Sequence, residues 1–321
     1  MFCSIDEART IAARAVVAAG AAEAVAHSLA RATVAAEQSG RNGVGFAHLP
    51  DYLASIVDGR IDGNAQPLIG FPTPASIHVD AAAGIAQLGF DLAFQELVDR
   101  ASRFGIAIFL QHNSYPAGEL GYYTRRLAGS GLLSFAATNG PALMGAGDAR
   151  QPVYGTNPFS FAAPVENRPA LVIDQATSAT AFVNLRLAAE RGDQIPEGWA
   201  VDAAGQATTD ARAALDGLLL AFGGKRGANI ALMVEVLAAG MSGANRSIDA
   251  PSFSDGNRSP AAGLFIVAMA PEVLAHGLPA RLAAQLDRLA ALGIHIPGRG
   301  PAVHRVEVPA SIARAAGLGA E

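Results

Sequence analysis

Apolar residues recur at helical spacing through the N-terminal part of the chain, in segments that glycine and polar residues separate. The alanine-rich stretch 5–37 has one break near Gly20, and Ser4 with Glu7 forms a plausible capping box in front of it. Residues 49–58 show the same periodicity and end before a glycine. Three helices are therefore predicted here. An extended connection is predicted after them from three prolines, Pro67, Pro72 and Pro74.

Short apolar runs replace this pattern from about residue 105 onwards. Each is bounded by glycine, proline or asparagine, which is typical of buried strands; the runs are 105–110, 131–138, 159–163, 170–174 and 263–269. Helical patterns lie between them at 119–129, 179–191 and 229–241. Strands that alternate with helices predict an α/β core whose sheet is covered on both faces. A polar loop at 247–260, an amphipathic helix at 279–292 and a late strand at 303–308 complete the pattern.

The composition limits the class of protein. Of the 321 residues, 51% are hydrophobic and only 16% are charged; much of the apolar excess is alanine, which predicts tightly packed helices and a large subunit interface. The formal net charge is −5 and no run of lysine or arginine could follow a phosphate backbone, so we expect no nucleic-acid partner. A single cysteine, Cys3, excludes an intramolecular disulfide and fits a reducing compartment. With no visible signal peptide and no apolar run of membrane-spanning length, we expect a cytoplasmic protein without a membrane segment.

Four loops next to predicted strands carry glycine or polar residues suited to ligand binding. They are 112–123, 155–158, 174–178 and 222–227. The first opens a helix, whose free amides could bind a phosphate. The last places Lys225 and Arg226 at a predicted helix start, where two cations suit a diphosphate or a carboxylate. Each loop taken alone is also consistent with ordinary turn chemistry.

Several common site motifs do not fit. Residues 43–48 begin like a dinucleotide fingerprint but have histidine where its third glycine belongs. The loop at Gly224-Lys225 has leucine and arginine where a phosphate-binding Walker motif needs glycine and Ser or Thr. No two of the seven histidines have the spacing of metal ligands, and no Gly-x-Ser-x-Gly elbow is present. A metal site and a serine hydrolase are therefore not expected.

Five motifs, taken together and in order, carry a family resemblance. They are Ala-Arg-Gln-Pro-Val-Tyr-Gly-Thr-Asn-Pro at 149–158, Ile-Asp-Gln-Ala-Thr-Ser at 173–178, Ile-Pro-Glu-Gly-Trp-Ala-Val-Asp at 195–202, Thr-Thr-Asp at 208–210 and Phe-Gly-Gly-Lys-Arg-Gly at 222–227. The chain resembles the malate/L-lactate dehydrogenase family that is distinct from the Rossmann lactate dehydrogenases. This family includes sulfolactate dehydrogenases and Δ1-piperideine-2-carboxylate/Δ1-pyrroline-2-carboxylate reductases.

The resemblance implies a non-Rossmann, sulfolactate-dehydrogenase-like α/β fold with a mixed sheet covered by helices. It also implies an NAD(P)-binding α/β domain at 109–275 and a helical domain from both chain ends, 1–108 with 276–321, that forms a homodimer. The implied cofactor is NADPH or NADH, bound by Pro116, Ala117, Gly118, Glu119, Leu120, Asp174, Gln175, Ala176, Lys225, Ile296, Pro297, Gly298 and Arg299. Lys225 or Arg299 could pair with a 2′-phosphate, which slightly favours NADPH.

The sequence departs from the family's pattern where its chemistry is expected. Aligned on the Leu-Pro-x-Tyr ending at 49–52, Val44 replaces the expected proton-donating histidine, and His48 replaces the usual substrate-carboxylate arginine. Pro116 stands where a histidine is common, and Asn184 replaces the aspartate that would complete the relay. These changes agree with one another, because an aspartate without its relay would be an unpaired charge in a closed site. We interpret them as one rebuilt site.

The rebuilt site leaves open which residue donates the proton and which residue binds the substrate carboxylate. His48 or Tyr115 could have taken over the donor role, with Asn184 as the third catalytic candidate. His48 lies one helical turn before Tyr52, so the two could share a face; His48 could equally be a packing residue. The candidate substrate-binding residues are His48, Tyr52, Thr156 and Phe182, and possible replacements for the lost arginine are Arg41, Arg125 and Arg126.

The chemistry of hydride transfer suggests what such a site permits. Reduction of a ketone creates an alkoxide, which needs a proton from a positioned acid, an effect worth about 10² to 10⁴ in rate. A cyclic imine can arrive as an iminium that already carries its proton. The leading hypothesis is therefore an NAD(P)H-dependent reductase of a cyclic imine of the Δ1-piperideine- or Δ1-pyrroline-2-carboxylate type. The alternatives are a 2-hydroxy-acid dehydrogenase with a relocated acid and a nucleotide-binding protein that has lost catalysis.

Overall fold

A computed structural model describes residues 1–146, 151–300 and 303–318. The strands are β1 (Phe2–Ser4), β2 (Leu68–Thr73), β3 (Ser76–Asp80), β4 (Ile106–Ser114), β5 (Leu133–Thr138), β6 (Phe159–Val165), β7 (Arg168–Gln175), β8 (Ala200–Val201), β9 (Leu218–Leu219), β10 (Ala262–Met269) and β11 (Arg305–Glu307). The α-helices are α1 (Ile5–Ala18), α2 (Glu23–Gln38), α3 (Leu49–Val57), α4 (Ala86–Phe104), α5 (Leu120–Gly129), α6 (Phe182–Arg191), α7 (Ala211–Leu215), α8 (Lys225–Glu235), α9 (Pro271–Leu274), α10 (Leu278–Ala291) and α11 (Ala310–Ala315). A 3-10 turn lies at Asn42–Val44, and a π-helical turn at Val236–Gly240 follows α8.

The two ends of the chain meet in one helical layer. Ser4 caps α1: its Oγ accepts from the Glu7 amide at 3.3 Å, and the Glu7 carboxylate accepts from the Ser4 amide at 2.8 Å. The short strands β1 and β11 pair antiparallel, which places α11 against α1. The buried core of this layer is built from α1, α2, α3 and α11. The layer thus confirms the predicted N-terminal helices and their capping box.

A seven-stranded mixed sheet forms the centre, in the order β2-β3-β4-β10-β5-β6-β7. Only the β3–β4 pair is parallel among these strands, and the other neighbours are antiparallel. Side chains along β4 alternate between two cores: Phe109 packs with α4 and α5 on one face, and Leu110 packs towards α8 on the other. Helices therefore cover both faces of the sheet, as the alternation of strands and helices predicts.

Three elements between residues 60 and 105 lie where the apolar pattern assigns none. The segment with the three prolines contains β2 and β3, and Pro72 is tolerated in β2 because this strand lies at the edge of the sheet, where a missing N–H costs no ladder bond. Helix α4 buries Phe90 and Leu97 against the sheet. The sheet thus begins well before residue 105.

The expected domain division stays a prediction, but the structure bears on its boundary. The cut between 108 and 109 falls inside β4, and β2 and β3 belong to the same sheet as the strands of 109–275. Ala149 and Arg150 of the first family motif lie outside the described residues, as do residues 319–321 of the expected helical domain. Within the described ranges, no helix is both long and apolar enough to cross a membrane.

Candidate active site

An open cleft lies where the N-terminal helices meet the loops at one end of the sheet. Most of its lining comes from seven segments, which are Gly43–Val44, the start of α3, Pro116–Gly118, Thr138–Pro141, Gly155–Thr156, the first two turns of α6, and Phe253. Most of these side chains are apolar. The ionisable groups on the lining are His48, Asp51 and Arg186.

These three side chains form a hydrogen-bonded triad. His48 Nδ1 lies 2.8 Å from Asp51 Oδ2, and Arg186 donates to both Asp51 oxygens, with Nη1–Oδ1 at 3.0 Å and Nη2–Oδ2 at 2.9 Å. The side chains are 16%, 19% and 27% exposed in the order His48, Asp51, Arg186. No hydrogen bond from His48 Nε2 is present within the described part of the chain. The imidazole is therefore oriented through one nitrogen, and the other is available to a ligand.

The triad holds Asp51 in its ionised form. Burial alone would raise the pKa of Asp51, but the hydrogen bonds from His48 and Arg186 outweigh it and hold the pKa at about 2. The Arg186 pKa is raised by the same pair. Near neutral pH the cleft therefore contains one carboxylate and one guanidinium whose charges offset each other.

Tyr52 and Tyr115 are buried behind the lining and do not contact the cleft. The Tyr52 hydroxyl donates to the Pro116 carbonyl oxygen at 2.6 Å, and Gln87 Nε2 donates to it at 3.2 Å. The Tyr115 hydroxyl donates to the Phe253 carbonyl oxygen at 3.0 Å, and burial raises the pKa of this tyrosine to about 12. The geometry therefore does not support Tyr115 as a proton donor. Both tyrosines instead position the loops that carry Pro116 and Phe253.

Thr156 and Phe182 lie on the cleft lining, whereas Asn184 does not. The Thr156 carbonyl accepts from the Thr177 amide and hydroxyl, both at 2.9 Å, which joins the loop after β7 to the floor of the cleft. Phe182 meets Phe253 edge to face, with ring centroids 6.0 Å apart, and the two rings form an apolar wall. Asn184 is exposed, and its Nδ2 donates to Thr180 Oγ1 at 3.1 Å. This placement gives no support to a catalytic role for Asn184.

Val44, where the family resemblance leads us to expect the proton donor, lies on the cleft lining together with His48. The turn around it is held by Glu37, whose Oε1 accepts from the Phe46 amide at 2.6 Å. A Cβ on Gly45 would lie 2.3 Å from the same oxygen, so a side chain there would displace the Glu37 carboxylate. Val44, His48 and Pro116 therefore line one cavity, whereas Asn184 lies outside it.

The expected cofactor residues fall into three groups. Pro116, Ala117 and Gly118 line the cleft, whereas Glu119, Leu120 and Asp174 lie buried or half-buried at the start of α5. The Gly121 amide donates to Asp174 Oδ2 at 2.6 Å, and Arg125 Nη2 donates to Glu119 Oε1 at 2.7 Å. The loop Asp174–Ala176 is joined to the cleft lining by Thr177, which donates two hydrogen bonds to the Thr156 carbonyl oxygen.

The other two groups lie apart from this one. Lys225 is exposed at the start of α8 and lines a second open cavity together with Gly145, Gly223 and Gly224. The turn Ile296–Arg299 lies against β7, where a Cβ on Gly298 would be 2.9 Å from the Ala170 carbonyl oxygen. Ile296 itself is a buried residue of the core beside α10. Gln175 is exposed at the end of β7. These contacts leave the cofactor roles as predictions.

Asp174 is expected to make stability depend on pH. Burial, with the Glu119 charge adding to it, raises the pKa of Asp174 to about 6, against roughly 3.9 for an unfolded chain. The folded state therefore holds a proton that the unfolded state releases, and this contribution is full below about pH 4 and is lost as the pH rises to about 6. Asp174→Asn should raise the free energy of unfolding relative to the parent by roughly 2 kcal/mol more at pH 7 than at pH 4.5, measured by urea unfolding without cofactor.

Asp193→Asn is the matched control for this measurement, because Asp193 is exposed in a loop and its substitution should leave the pH dependence unchanged. A difference between Asp174→Asn and the parent that is the same at both pH values would show that Asp174 is ionised throughout this range.

Arg41, Arg125 and Arg126 do not line the cleft. Arg41 donates to the Asp174 carbonyl oxygen at 3.0 Å, Arg125 pairs with Glu119, and Arg126 pairs with Asp91 and lies over the Phe94 ring. The arginine that does line the cleft is Arg186, which the sequence analysis missed. Phe182 and Arg186 are four residues apart on α6 and share a face, so helical spacing from Phe182 could have identified Arg186. Within the ranges described, no cluster of His, Cys, Asp and Glu suited to a metal ion is present.

Comparisons with known proteins show the family to which the chain belongs. A family model described as malate/L-lactate dehydrogenase matches residues 3–315. A Δ1-pyrroline-2-carboxylate/Δ1-piperideine-2-carboxylate reductase of Pseudomonas putida is 37% identical over 254 residues, which cover 78% of this chain and 74% of the relative. A (2R)-3-sulfolactate dehydrogenase (NADP(+)) of Chromohalobacter salexigens is 34% identical over 297 residues, covering 92% of this chain and 89% of the relative.

Solved structures show the same fold. The crystal structure of a Δ1-piperideine-2-carboxylate reductase from Pseudomonas syringae pv. tomato matches with a TM-score of 0.89 and 32% identity, covering 93% of this chain and 91% of that chain. A sulfolactate dehydrogenase from Methanocaldococcus jannaschii matches with a TM-score of 0.78 and 24% identity over 98% of this chain and 90% of that chain, which bears on the fold alone. The predicted non-Rossmann, sulfolactate-dehydrogenase-like fold is confirmed.

Proposed function

The chain belongs to the malate/L-lactate dehydrogenase family and is an NAD(P)-dependent oxidoreductase, and we propose that it reduces a cyclic imine of the Δ1-pyrroline- or Δ1-piperideine-2-carboxylate type. Hydride transfer to the carbon of a C=N bond converts an iminium into a neutral amine. The observation that carries the proposal is that Val44 and Pro116, where the family resemblance leads us to expect histidines, both line the cleft. A substrate that brings its own proton can be reduced at such a site.

The surroundings of the cleft suit a small ring. Phe182 and Phe253 supply an apolar wall, and the loops Pro116–Gly118 and Gly155–Thr156 line the remaining sides. Thr138 and Asn139 add polar groups at the end of β5. A flat five- or six-membered ring could lie against the aromatic wall while its C=N carbon faces the loops expected to hold the nicotinamide. The chain's own groups then serve to bind and orient the substrate and to exclude water.

A second candidate, a 2-hydroxy-acid dehydrogenase, is favoured by the His48–Asp51 hydrogen bond. A carboxylate that orients an imidazole through Nδ1 is the arrangement of many general acids and bases. In such a dehydrogenase, His48 Nε2 would donate the proton that the alkoxide needs. The sulfolactate dehydrogenase relative is compatible with it.

A nicotinamide dinucleotide fits two features of the chain, and we propose NADPH. Glu119 Oε2 is buried and makes no hydrogen bond in the described ranges, so it could accept one from a ribose hydroxyl. The start of α8, with the exposed Lys225 beside it, suits a phosphate. When bound, the reduced nicotinamide of the cofactor would supply the hydride. The homodimer implied by the family stays a prediction.

A substrate panel tests the proposed function. We expect NADPH oxidation with Δ1-pyrroline-2-carboxylate and Δ1-piperideine-2-carboxylate, at a kcat/KM at least about 10²-fold above that of 2-oxo acids, because the oxo acids lack the proton that the iminium carries. Parallel assays with NADH measure the cofactor preference. Turnover of 2-oxo acids alone would refute imine reduction, and cofactor binding without turnover on either panel would indicate a nucleotide-binding protein that has lost catalysis.

His48→Ala separates the two enzymatic candidates within the same assay. For an iminium substrate we expect the kcat to change less than tenfold, whereas a required general acid would cost about 10² to 10⁴. His78→Ala is the matched control, since His78 is exposed on β3 and does not line the cleft. A large loss for His48→Ala on cyclic imines, with His78→Ala unchanged, would contradict the idea that the substrate supplies the proton.

A further inference from the structure

Arg186 is the only lysine or arginine on the cleft lining within the described part of the chain. It is carried by α6, one turn after Phe182, and reaches across to Asp51 on α3, 135 residues away in sequence. By the family resemblance, His48 stands at the position of the usual carboxylate-binding arginine. The cleft therefore retains a cation, but on a different helix.

Asp51 uses only part of the Arg186 guanidinium. A guanidinium carries five N–H donors in one plane. Asp51 takes one from each terminal nitrogen, with Nη1 and Nη2 at 3.0 and 2.9 Å from its oxygens. No hydrogen bond from Arg186 Nε is present in the described ranges, so the edge formed by Nε and one terminal nitrogen can still bind a second carboxylate in bidentate fashion.

The charges of the cleft match a zwitterion. The Asp51–Arg186 pair has no net charge, and a cyclic iminium bearing a carboxylate has none either. Its carboxylate can meet Arg186 while its positive nitrogen faces the side of the triad that carries Asp51. A 2-oxo acid would bring only the negative charge beside Asp51, which is less favourable in a partly desolvated site.

We propose that Arg186 anchors the substrate carboxylate through the guanidinium edge that Asp51 leaves unused, so that the substrate class is an imine with its carboxylate next to the C=N bond. This assignment rests on the proposed function. It makes Arg186 a specificity-determining residue, and it gives Asp51 the role of positioning the guanidinium.

The test compares a substrate with and without the carboxylate. With Δ1-pyrroline-2-carboxylate, Arg186→Gln should lower kcat/KM by about 10² to 10³-fold, mostly through KM, because a charge-assisted bidentate contact is lost. With 1-pyrroline, which lacks the carboxylate, kcat/KM should change by less than about threefold. Arg186→Lys should recover part of the loss. Equal losses on both substrates would overturn the proposal, because they would indicate a merely structural role.

Two further variants guard against a folding artefact. Arg186→Gln leaves Asp51 without its cation, so the double variant Asp51→Asn with Arg186→Gln removes both charges and should show the same selective loss. Arg191→Gln changes an exposed arginine on the same helix and should leave both substrates unaffected. Selective loss in the double variant supports the anchor, and its absence there overturns it.

A binding measurement separates this proposal from the proposed function. Calorimetry with oxidised cofactor present compares pyrrole-2-carboxylate with pyrrole-2-carboxamide, which differ in the carboxylate charge. The parent should bind the carboxylate at least about tenfold more tightly, and Arg186→Gln should abolish the difference. If no imine is reduced but this difference is seen, the function fails and the anchor stands. Equal binding of both ligands to the parent, or no binding of the carboxylate, overturns the anchor.

Discussion

Replacing Glu235 with alanine is expected to lower the free energy of unfolding by about 3 kcal/mol and to raise KM for both substrate and cofactor. The Glu235 carboxylate is buried at the end of α8 and accepts three hydrogen bonds: from Asn157 Nδ2 at 2.8 Å, from the Ser247 amide at 2.6 Å and from Ser247 Oγ at 2.7 Å. No lysine or arginine pairs with it in the described ranges. Its removal leaves the Ser247 amide without an acceptor, whereas Asn157 Nδ2 keeps the Ala231 carbonyl oxygen at 3.0 Å and Ser247 Oγ keeps Asn157 Oδ1 at 3.4 Å.

The same carboxylate holds two walls of the cleft. Asn157 follows Thr156 on the cleft floor and has a left-handed φ of 34°, which this anchoring stabilises. Ser247 begins the polar loop that carries Phe253 to the opposite wall. Loss of Glu235 should therefore loosen both walls together, which is why a change in KM is expected at a residue that does not line the cleft.

Urea unfolding and steady-state kinetics measure the two effects. Ser247→Ala is the matched control: it removes one hydroxyl donor but keeps the backbone amide, and it should cost only about 1 kcal/mol. A loss below about 1 kcal/mol for Glu235→Ala, with an unchanged KM, would show that other contacts hold these loops.

Gly155→Ala should lower kcat/KM by at least about 10²-fold while leaving the protein folded. A Cβ at this position would lie 2.8 Å from the Gly140 carbonyl oxygen and 3.2 Å from the Gly140 carbonyl carbon. Both atoms belong to the backbone, so the two loops must move apart. Because Gly140 and Thr156 both line the cleft, a displacement approaching 1 Å would misplace the substrate against the nicotinamide.

Gly129→Ala provides the comparison for this variant. Gly129 ends α5, its added Cβ would meet no atom within 4 Å, and it does not line the cleft. We expect unchanged kinetics and a slight gain in stability, since alanine is the better helix former. Steady-state kinetics of both variants measure the change in kcat/KM, and thermal unfolding shows whether each variant is folded. Normal kcat/KM in Gly155→Ala would mean that the loops separate without moving the site.

Much of the fold follows from local pattern. The predicted strands at 131–138 and 263–269 correspond to β5 and β10, and the predicted helix at 279–292 corresponds to α10. β2 was harder to predict because Pro72 argues against a strand unless that strand lies at an edge, and the edge is a property of the whole sheet.

The site was predicted less completely than the fold. The family resemblance singled out Thr156, Phe182 and His48, and all three lie on the cleft lining. Tyr115 was offered as a donor, but its direction depends on the packing of the N-terminal helices around it, and its hydroxyl turns to the Phe253 carbonyl. The direction in which the Tyr115 hydroxyl points cannot be predicted from a sequence pattern.

By itself the sequence determined the helices α1 to α3, the strands β4 to β7 and β10, and the family, because periodicity and motifs are properties of neighbouring residues. The tertiary structure alone decided the partnership of His48, Asp51 and Arg186. His48 and Asp51 are three residues apart, but Arg186 is 135 residues from Asp51 and reaches it only after the sheet, the N-terminal helices and α6 have packed. Such a contact depends on the folded chain, so which cation serves the cleft could be known only from the fold.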